Sequence, residues 1–289
     1  MKAGAPGPVD LSAGEIERLR ERATFVRLET VRLISIAKVG HYSSTFSCAE
    51  IFAVLYYDAM RLRRGDPAWP DRDRFLMGKG HAAVGLYPLL ADWGFFPATD
   101  LDGYTRLGNP LGDHPDMRKV KGIDFSSGSI GHALSAGLGM VLAGRLLGQD
   151  FFAYVLMGDG EMQEGQVWAA AMSAAHHKAG NLIAIVDRNG FQLDGKVDDV
   201  AGIEPLADKW RAFGWDVHDV DGHDVGALAG LLRRIKSAPR NKPACVIAHT
   251  VKGKGVGYME TEPGWHLGYL AAEDEAAALD EIKAGAGRP

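Results

Sequence analysis

The run MGDGEMQEGQVW, Met157 to Trp168, sets an aspartate between two glycines, after the apolar stretch FFAYVL and before the helix-like AAAMSAAHH. Thirty positions on (189 − 159), Asn189 stands in VDRNGFQLDG, after a second apolar stretch, NLIAIVD. In an open parallel sheet, ligands bind beyond the carboxyl ends of the strands, where glycine turns and helix N-termini present unpaired amides. A carboxylate and an amide oxygen from neighbouring strand ends are hard ligands, suited to Mg2+ or Ca2+ bridging a phosphate group. Asp159 and Asn189 therefore point to a metal-diphosphate site, with Gly158 and Gly160 letting the backbone come close to the diphosphate. Acid-glycine turns are common at strand ends, so the motif alone is weak; Asn189 and a set of glycine-adjacent histidines strengthen it.

Such a site needs strands and helices in alternation to hold it. From residue 127 a Gly/Ala-rich helix leads to strand FFAYVLM, helix QVWAAAMSAAHH, strand NLIAIVD and the loop RNGFQLDG. A helix around IEPLADKWRAF, strand WDVHDV, helix DVGALAGLLRRIK and strand ACVIAHT follow. Short apolar strands alternating with helices predict an α/β fold, a parallel sheet with helices on both faces. Upstream, residues 14–40 have helical periodicity and a glycine stop at Gly40. Ser47 and Glu50 have the spacing of a capping box for the next helix. FLMGKGHAA reads as a short strand entering a glycine turn. Residues 1–13 read as a flexible leader and 14–289 as one domain.

Composition excludes several classes. Of the 289 residues, 46% are hydrophobic and 24% charged, close to globular usage, so disorder is not favoured. A net charge of -5 offers no general attraction to nucleic acid or an anionic membrane. The two cysteines, Cys48 and Cys245, read as reduced core thiols rather than a disulfide framework. The most apolar stretch holds His132 and Arg145, which argues against a membrane span. Its glycines, in GLGMVLAG, suggest close packing at a subunit interface. His176 and His177 read as structural residues at a helix end. A cytoplasmic protein is the economical reading.

GDG after one buried strand, with the asparagine of VDRNG after the next, resembles the thiamine diphosphate fingerprint, and its surroundings resemble transketolase. AKVGH, DRDRFLMGKGHA and GDHPD are similar to that family's three histidine motifs. GSIGH stands where the family has a glycine-rich loop beside the cofactor, and TVKGKGV with GWHLG is similar to the end of its first domain. The resemblance implies the thiamine diphosphate-binding fold, with Asp159, Asn189 and the main-chain carbonyl of Phe191 on the divalent cation. It implies His81, His266, Gly128, Ser129, Ile130, Gly158, Gly160 and Glu161 at the cofactor. His41, His114 and His266 would line the substrate channel and hydrogen-bond the donor's C1 hydroxyl and developing alkoxide. Glu164 would lie at the subunit contact, in a carboxylate network linking two active sites. Tyr42, where the family usually has proline, and GSIGH, where it has proline and glutamine, are departures expected on the substrate side.

A complete transketolase continues into a pyrimidine-binding domain, which supplies the glutamate that activates the cofactor, and then a C-terminal domain. The expectation is therefore the N-terminal subunit of a split transketolase. It would transfer a two-carbon ketol unit from a ketose phosphate to an aldose phosphate. Its partner would carry the pyrimidine-binding domain, and the pair would assemble as a dimer of heterodimers. The alternatives are an α-type subunit of a 2-oxo acid dehydrogenase, a deoxyxylulose phosphate synthase-like chain, or a non-catalytic regulatory partner. A nicotinamide dehydrogenase is disfavoured by the lack of GxGxxG in a first βαβ unit.

Overall fold

The computed structural model describes residues 11–193, 195–239 and 241–286. Its strands are β1 (Arg74–Met77), β2 (Ala153–Gly158), β3 (Leu182–Arg188), β4 (Phe191–Gln192), β5 (Gly195–Lys196), β6 (Asp216–Asp221) and β7 (Ala244–His249). Five of them form a sheet in the order β1-β2-β3-β7-β6, with every neighbouring pair parallel. β4 and β5 pair as a small antiparallel hairpin within the segment expected to be a plain loop.

Among the described residues, ten helices surround the sheet: α1 (Ala13–Ala37), α2 (Ser43–Phe46), α3 (Ala49–Val54), α4 (Ala83–Asp92), α5 (Ala133–Leu146), α6 (Gly165–His176), α7 (Val197–Ala201), α8 (Leu206–Ala212), α9 (Val225–Ser237) and α10 (Ala272–Gly285). Successive strand residues point to opposite faces, so continuous apolar strands bury two layers. Tyr154, Leu156, Ile183 and Val246 join a core built with α1, α3, α4 and α9. Val155, Met157, Ala184 and Ile247 join a second core built with α5, α6 and α8. This is the expected α/β architecture with both faces covered.

Local signals were partly overruled by tertiary contacts. The leader expectation falls largely on residues 1–10, outside the described residues, while Ser12 and Ala13 already belong to the start of α1. Ser12 Oγ accepts from the Glu15 amide at 3.3 Å and Glu15 Oε2 accepts from the Ser12 amide at 2.8 Å, a capping box worth about 1 kcal/mol. The box expected at Ser47 and Glu50 does not form. Ser47 donates instead to Asp187 (2.6 Å), and Glu50 takes two bonds from Arg27 (2.6 and 2.8 Å) inside the core. α1 stops before Gly40, at Lys38 in the left-handed region (φ 62°). Gly40 serves another contact: its amide and carbonyl bridge Gly268 at 2.9 and 3.0 Å.

Two of the glycines of α5 pack against the chain's own sheet. A Cβ on Gly137 would stand 2.8 Å from Val155, and one on Gly144 would stand 2.8 Å from Phe151, so these two let the helix press on its own sheet; Gly139 faces open space. Cys48 and Cys245 are buried free thiols. Among the described residues no helix is long and apolar enough to cross a membrane.

Candidate active site

The carboxyl ends of β1, β2 and β3 open into a cavity of about 450 Å3. Gly158 is in register with Asp187, which sets Asp159 and Asn189 on adjacent strand ends. Asp159 is almost wholly buried. Its Oδ2 accepts from the Gly190 amide (2.6 Å) and from Arg188 Nη1 (3.1 Å), and its Oδ1 accepts from the Gly160 amide (2.8 Å). Burial, reinforced by the nearby Asp187 charge, raises the Asp159 carboxyl to about 6 despite Arg188 and the two amides. Asn189 Oδ1 accepts from the Phe191 amide at 3.0 Å, folding the segment so that Asn189 and Phe191 both line the cavity.

Behind these groups lies a buried ion pair. Asp187 accepts from Lys79, Ser47 and Thr250, and from Asn189 Nδ2 at 3.3 Å. Lys79 also donates to the Ser44 carbonyl at 2.8 Å. Burial disfavours charge on both, yet each holds the other ionised, Asp187 below and Lys79 above its ordinary value.

Four histidines, His41, His81, His114 and His266, also line the cavity. The His41 ring centroid lies 5.0 Å from His81, 5.3 Å from His266 and 6.2 Å from His114, and His81 and His266 are 5.3 Å apart. Burial, then the Lys79 charge, holds His81 well below the usual imidazole range. Burial, then the Lys252 charge, lowers His266 to about 4. Asp113 stands between two of them, 3.4 Å from His41 Nδ1 and 3.2 Å from His114 Nδ1. Although burial opposes its charge, His114 and His41 hold Asp113 well below the usual carboxylate range.

The glycine-rich loop is anchored by Glu161, whose carboxylate accepts from the Gly131 amide (2.8 Å) and the Gly158 amide (3.2 Å). Burial pushes this carboxyl up to about 7 against those two bonds. Glu161 lines the cavity, but these amides occupy its oxygens. Gly128 and Ile130 line it as well, whereas Ser129 is exposed and does not. Gly158 meets nothing within 4 Å of a built Cβ, so its backbone stays open to a ligand. At Gly160 the Gln192 side chain takes that space, 2.7 Å from a built Cβ. Glu164 is exposed at the cavity rim, where α6 begins.

Of the two departures expected on the substrate side, Tyr42 lies elsewhere, while the GSIGH loop reaches the cavity through Gly128 and Ile130. Tyr42 is fully buried against Phe46, and its hydroxyl accepts from the Leu270 amide at 3.3 Å. His132 is exposed at the start of α5 and does not line the cavity. Sequence reasoning also passed over lining residues that are now evident. Lys79 and Lys252 are 3% and 1% exposed, a burial that lysine tolerates only with partners, and the signal was a lysine directly before a glycine in GKGH and VKGK. Ser44 lines the cavity with a buried hydroxyl that has no hydrogen-bond partner among the described residues. No local pattern announced Ser44, Gln163 or Gln192.

The cavity fits a diphosphate cofactor and a cation. Oxygen donors from Asp159 and Asn189 and the lysines Lys79 and Lys252 line it together. Beside the open Gly158 backbone, the buried Ser44 Oγ and His266 Nδ1 lack hydrogen-bond partners among the described residues.

The family described as transketolase, thiamine diphosphate binding domain, matches residues 19–285. The chain is 39% identical to the 6-deoxy-6-sulfo-D-fructose transketolase subunit SqwG of Clostridium sp. (strain MSTE9), over 92% of this chain and 96% of that one. It is 38% identical to an apulose-4-phosphate transketolase subunit of Phocaeicola vulgatus, over 93% and 95%. The fold matches transketolase from Leishmania mexicana with a TM-score of 0.85 at 28% identity, covering 93% of this chain and 41% of that one. The chain thus spans nearly all of the two subunit relatives and about two fifths of the longer enzyme. It belongs to the transketolase family, as the N-terminal, thiamine diphosphate-binding type of subunit in a two-subunit enzyme.

Proposed function

We propose that this chain supplies the diphosphate-binding and metal-binding half of a ketol-transfer site. The complete enzyme would move a two-carbon unit from a ketose phosphate, or a ketose with another anionic tail, to an aldose phosphate. The observation that carries the reading is one cavity lined both by Asp159, Asn189 and Phe191 and by His41, His81, His114 and His266. Thiamine diphosphate, when bound, supplies the carbanion chemistry of ketol transfer.

The chain's own residues bind and orient. Asp159, Asn189 and the Phe191 carbonyl would hold Mg2+ or Ca2+ between the strand ends and the diphosphate. His81 and His266, kept neutral by burial and by lysines, would hydrogen-bond the diphosphate without adding charge. Gly128, Ile130 and Gly158 would bring backbone to the cofactor, with Ser129 beside them; Glu161 would fix the loop that carries them, and Gly160 would make room for Gln192. His41 and His114, paired across Asp113, would face the donor's C1 hydroxyl and the oxygen on which charge develops. Glu164, at the rim, would meet the partner.

The partner would carry the pyrimidine-binding domain, and the pair would form a dimer of heterodimers. Coverage of the two subunit relatives supports this. Those relatives are named for a sulfonated ketose and a branched-sugar phosphate, which supports a donor with an anionic tail. Two buried free cysteines suit the reducing cytoplasm. The test is ketol transfer assayed with this chain alone, with the partner alone and with both mixed. Turnover only in the mixture is expected. Robust turnover by this chain, purified free of the host's own transketolase, would overturn the split-site reading.

A further inference from the structure

Two buried carboxylates, Asp159 and Asp187, stand side by side at the ends of β2 and β3, each with its own cation, and the two cations are held very differently. Lys79, on Asp187, is 3% exposed and is fixed further by the Ser44 carbonyl. Arg188, on Asp159, reaches outward to the rim. Its Nη1 lies 3.1 Å from Asp159 Oδ2, while Nε and Nη2 lie 3.2 and 3.1 Å from Glu204 Oε1 and Nη2 lies 3.7 Å from Asp198 Oδ1. Glu204 and Asp198 are 54% and 65% exposed. Arg188 is therefore shared between one buried acid and two solvent-facing ones.

We propose that Arg188 is a resident counter-cation of the metal-binding carboxylate, which a divalent cation must oppose or displace, and that Glu204 and Asp198 receive it. The inference rests on the assignment of Asp159 as a metal ligand. A guanidinium within hydrogen-bond distance of that carboxylate repels an incoming dication and takes up part of the negative charge that would attract it. It also keeps the buried Asp159 paired until the cation arrives, which an isolated buried carboxylate would otherwise lack. The two exposed acids lower the cost of exchange, because Arg188 already has bonds to them. Metal occupancy is thereby linked to the segment around Asp198 and Glu204. That segment reaches the cavity rim through Gln163, whose Nε2 donates to the Ala201 carbonyl at 2.7 Å.

The test is Mn2+ binding, followed by electron paramagnetic resonance on the chain with its partner subunit and saturating thiamine diphosphate. Arg188→Gln should bind Mn2+ about tenfold more tightly than wild type, and Arg188→Lys, which keeps the charge, should stay near it. Glu204→Gln removes a surface negative charge without emptying the core and should weaken Mn2+ binding about threefold, because Arg188 is left more firmly on Asp159. Opposite signs at Arg188 and Glu204 are the expected result. Equal or weaker binding by Arg188→Gln, or no weakening in Glu204→Gln, would overturn the proposal while leaving the metal site in place. No Mn2+ binding by wild type would remove the metal site and the proposal together.

Discussion

Gly158 of β2 and Asp187 of β3 form the last pair of one parallel register, so Asp159, one residue on, and Asn189, two residues on, leave adjacent strands at the same edge of the sheet. Two side chains distant in sequence become neighbours because consecutive strands of one sheet end together. The metal reading depends on this. Asp159→Ala and Asn189→Ala should each weaken Mg2+-dependent binding of thiamine diphosphate at least about tenfold, since a lost ligand is replaced only by water. Calorimetry with the partner subunit present measures it, and unchanged affinity in both variants would contradict the assignment.

The histidine wall makes a second, separable prediction. His41→Ala and His114→Ala should bind cofactor as wild type does but turn over roughly 10²-fold more slowly at saturating donor, because the lost bonds serve charge that develops during the reaction. His266→Ala should lower both cofactor affinity and turnover. Full turnover by His41→Ala would remove it from the substrate channel.

His266 should contribute a loss of stability on mild acidification, opposite in sign to Asp159 and Glu161, whose raised carboxyls favour the folded chain as pH falls. The His266 pKa is about 4 in the folded chain, against about 6.5 for an unfolded histidine. Between those values the unfolded chain binds the extra proton, so this contribution rises with pH through this window and is lost as pH falls from 6.5 toward 4. His81 acts in the same direction. Urea unfolding of His266→Asn at pH 7 and pH 5 should show a smaller acid loss than wild type; an equal loss would mean that other groups account for it.

The buried pair between α1 and α3 supplies a prediction about the scaffold. Arg27 donates twice to Glu50 and also to the Phe46 and Lys254 carbonyls, and His223 Nδ1 lies 2.8 Å from the same Glu50. Arg27→Met should cost about 3 kcal/mol, because it strands a carboxylate in the core. In the double variant with Glu50→Gln the loss should be smaller than the sum of the single losses. Additive losses in urea unfolding would show that the two residues act independently.

The cofactor end of the site was legible in the sequence because its signals are local: an apolar strand, a glycine turn, then an acid or an asparagine. The alternation of strands and helices was legible for the same reason. Ser47 and Glu50 had the spacing of a helix cap, but buried partners from β3 and α1 claimed both side chains, and no window of a few residues contains those partners. Tyr42 follows the cavity-lining His41 in sequence yet turns into the core, since adjacent residues on a bend need not face the same way. Gln192 matters through the space left by Gly160, which lies on a different strand end. These contacts join segments far apart in the chain, and spacing rules do not reach them.

The bridge between Gly40 and Gly268 has a consequence for the order of events during synthesis. It ties the segment carrying His41 to the one carrying His266, two rings 5.3 Å apart in the finished site. Loop closure over such a distance is slow and comes late. A nascent chain can therefore build its sheet and the Asp159 end of the cavity while still on the ribosome. The histidine wall waits until residue 268 has emerged, so capture of the cofactor follows the building of the sheet.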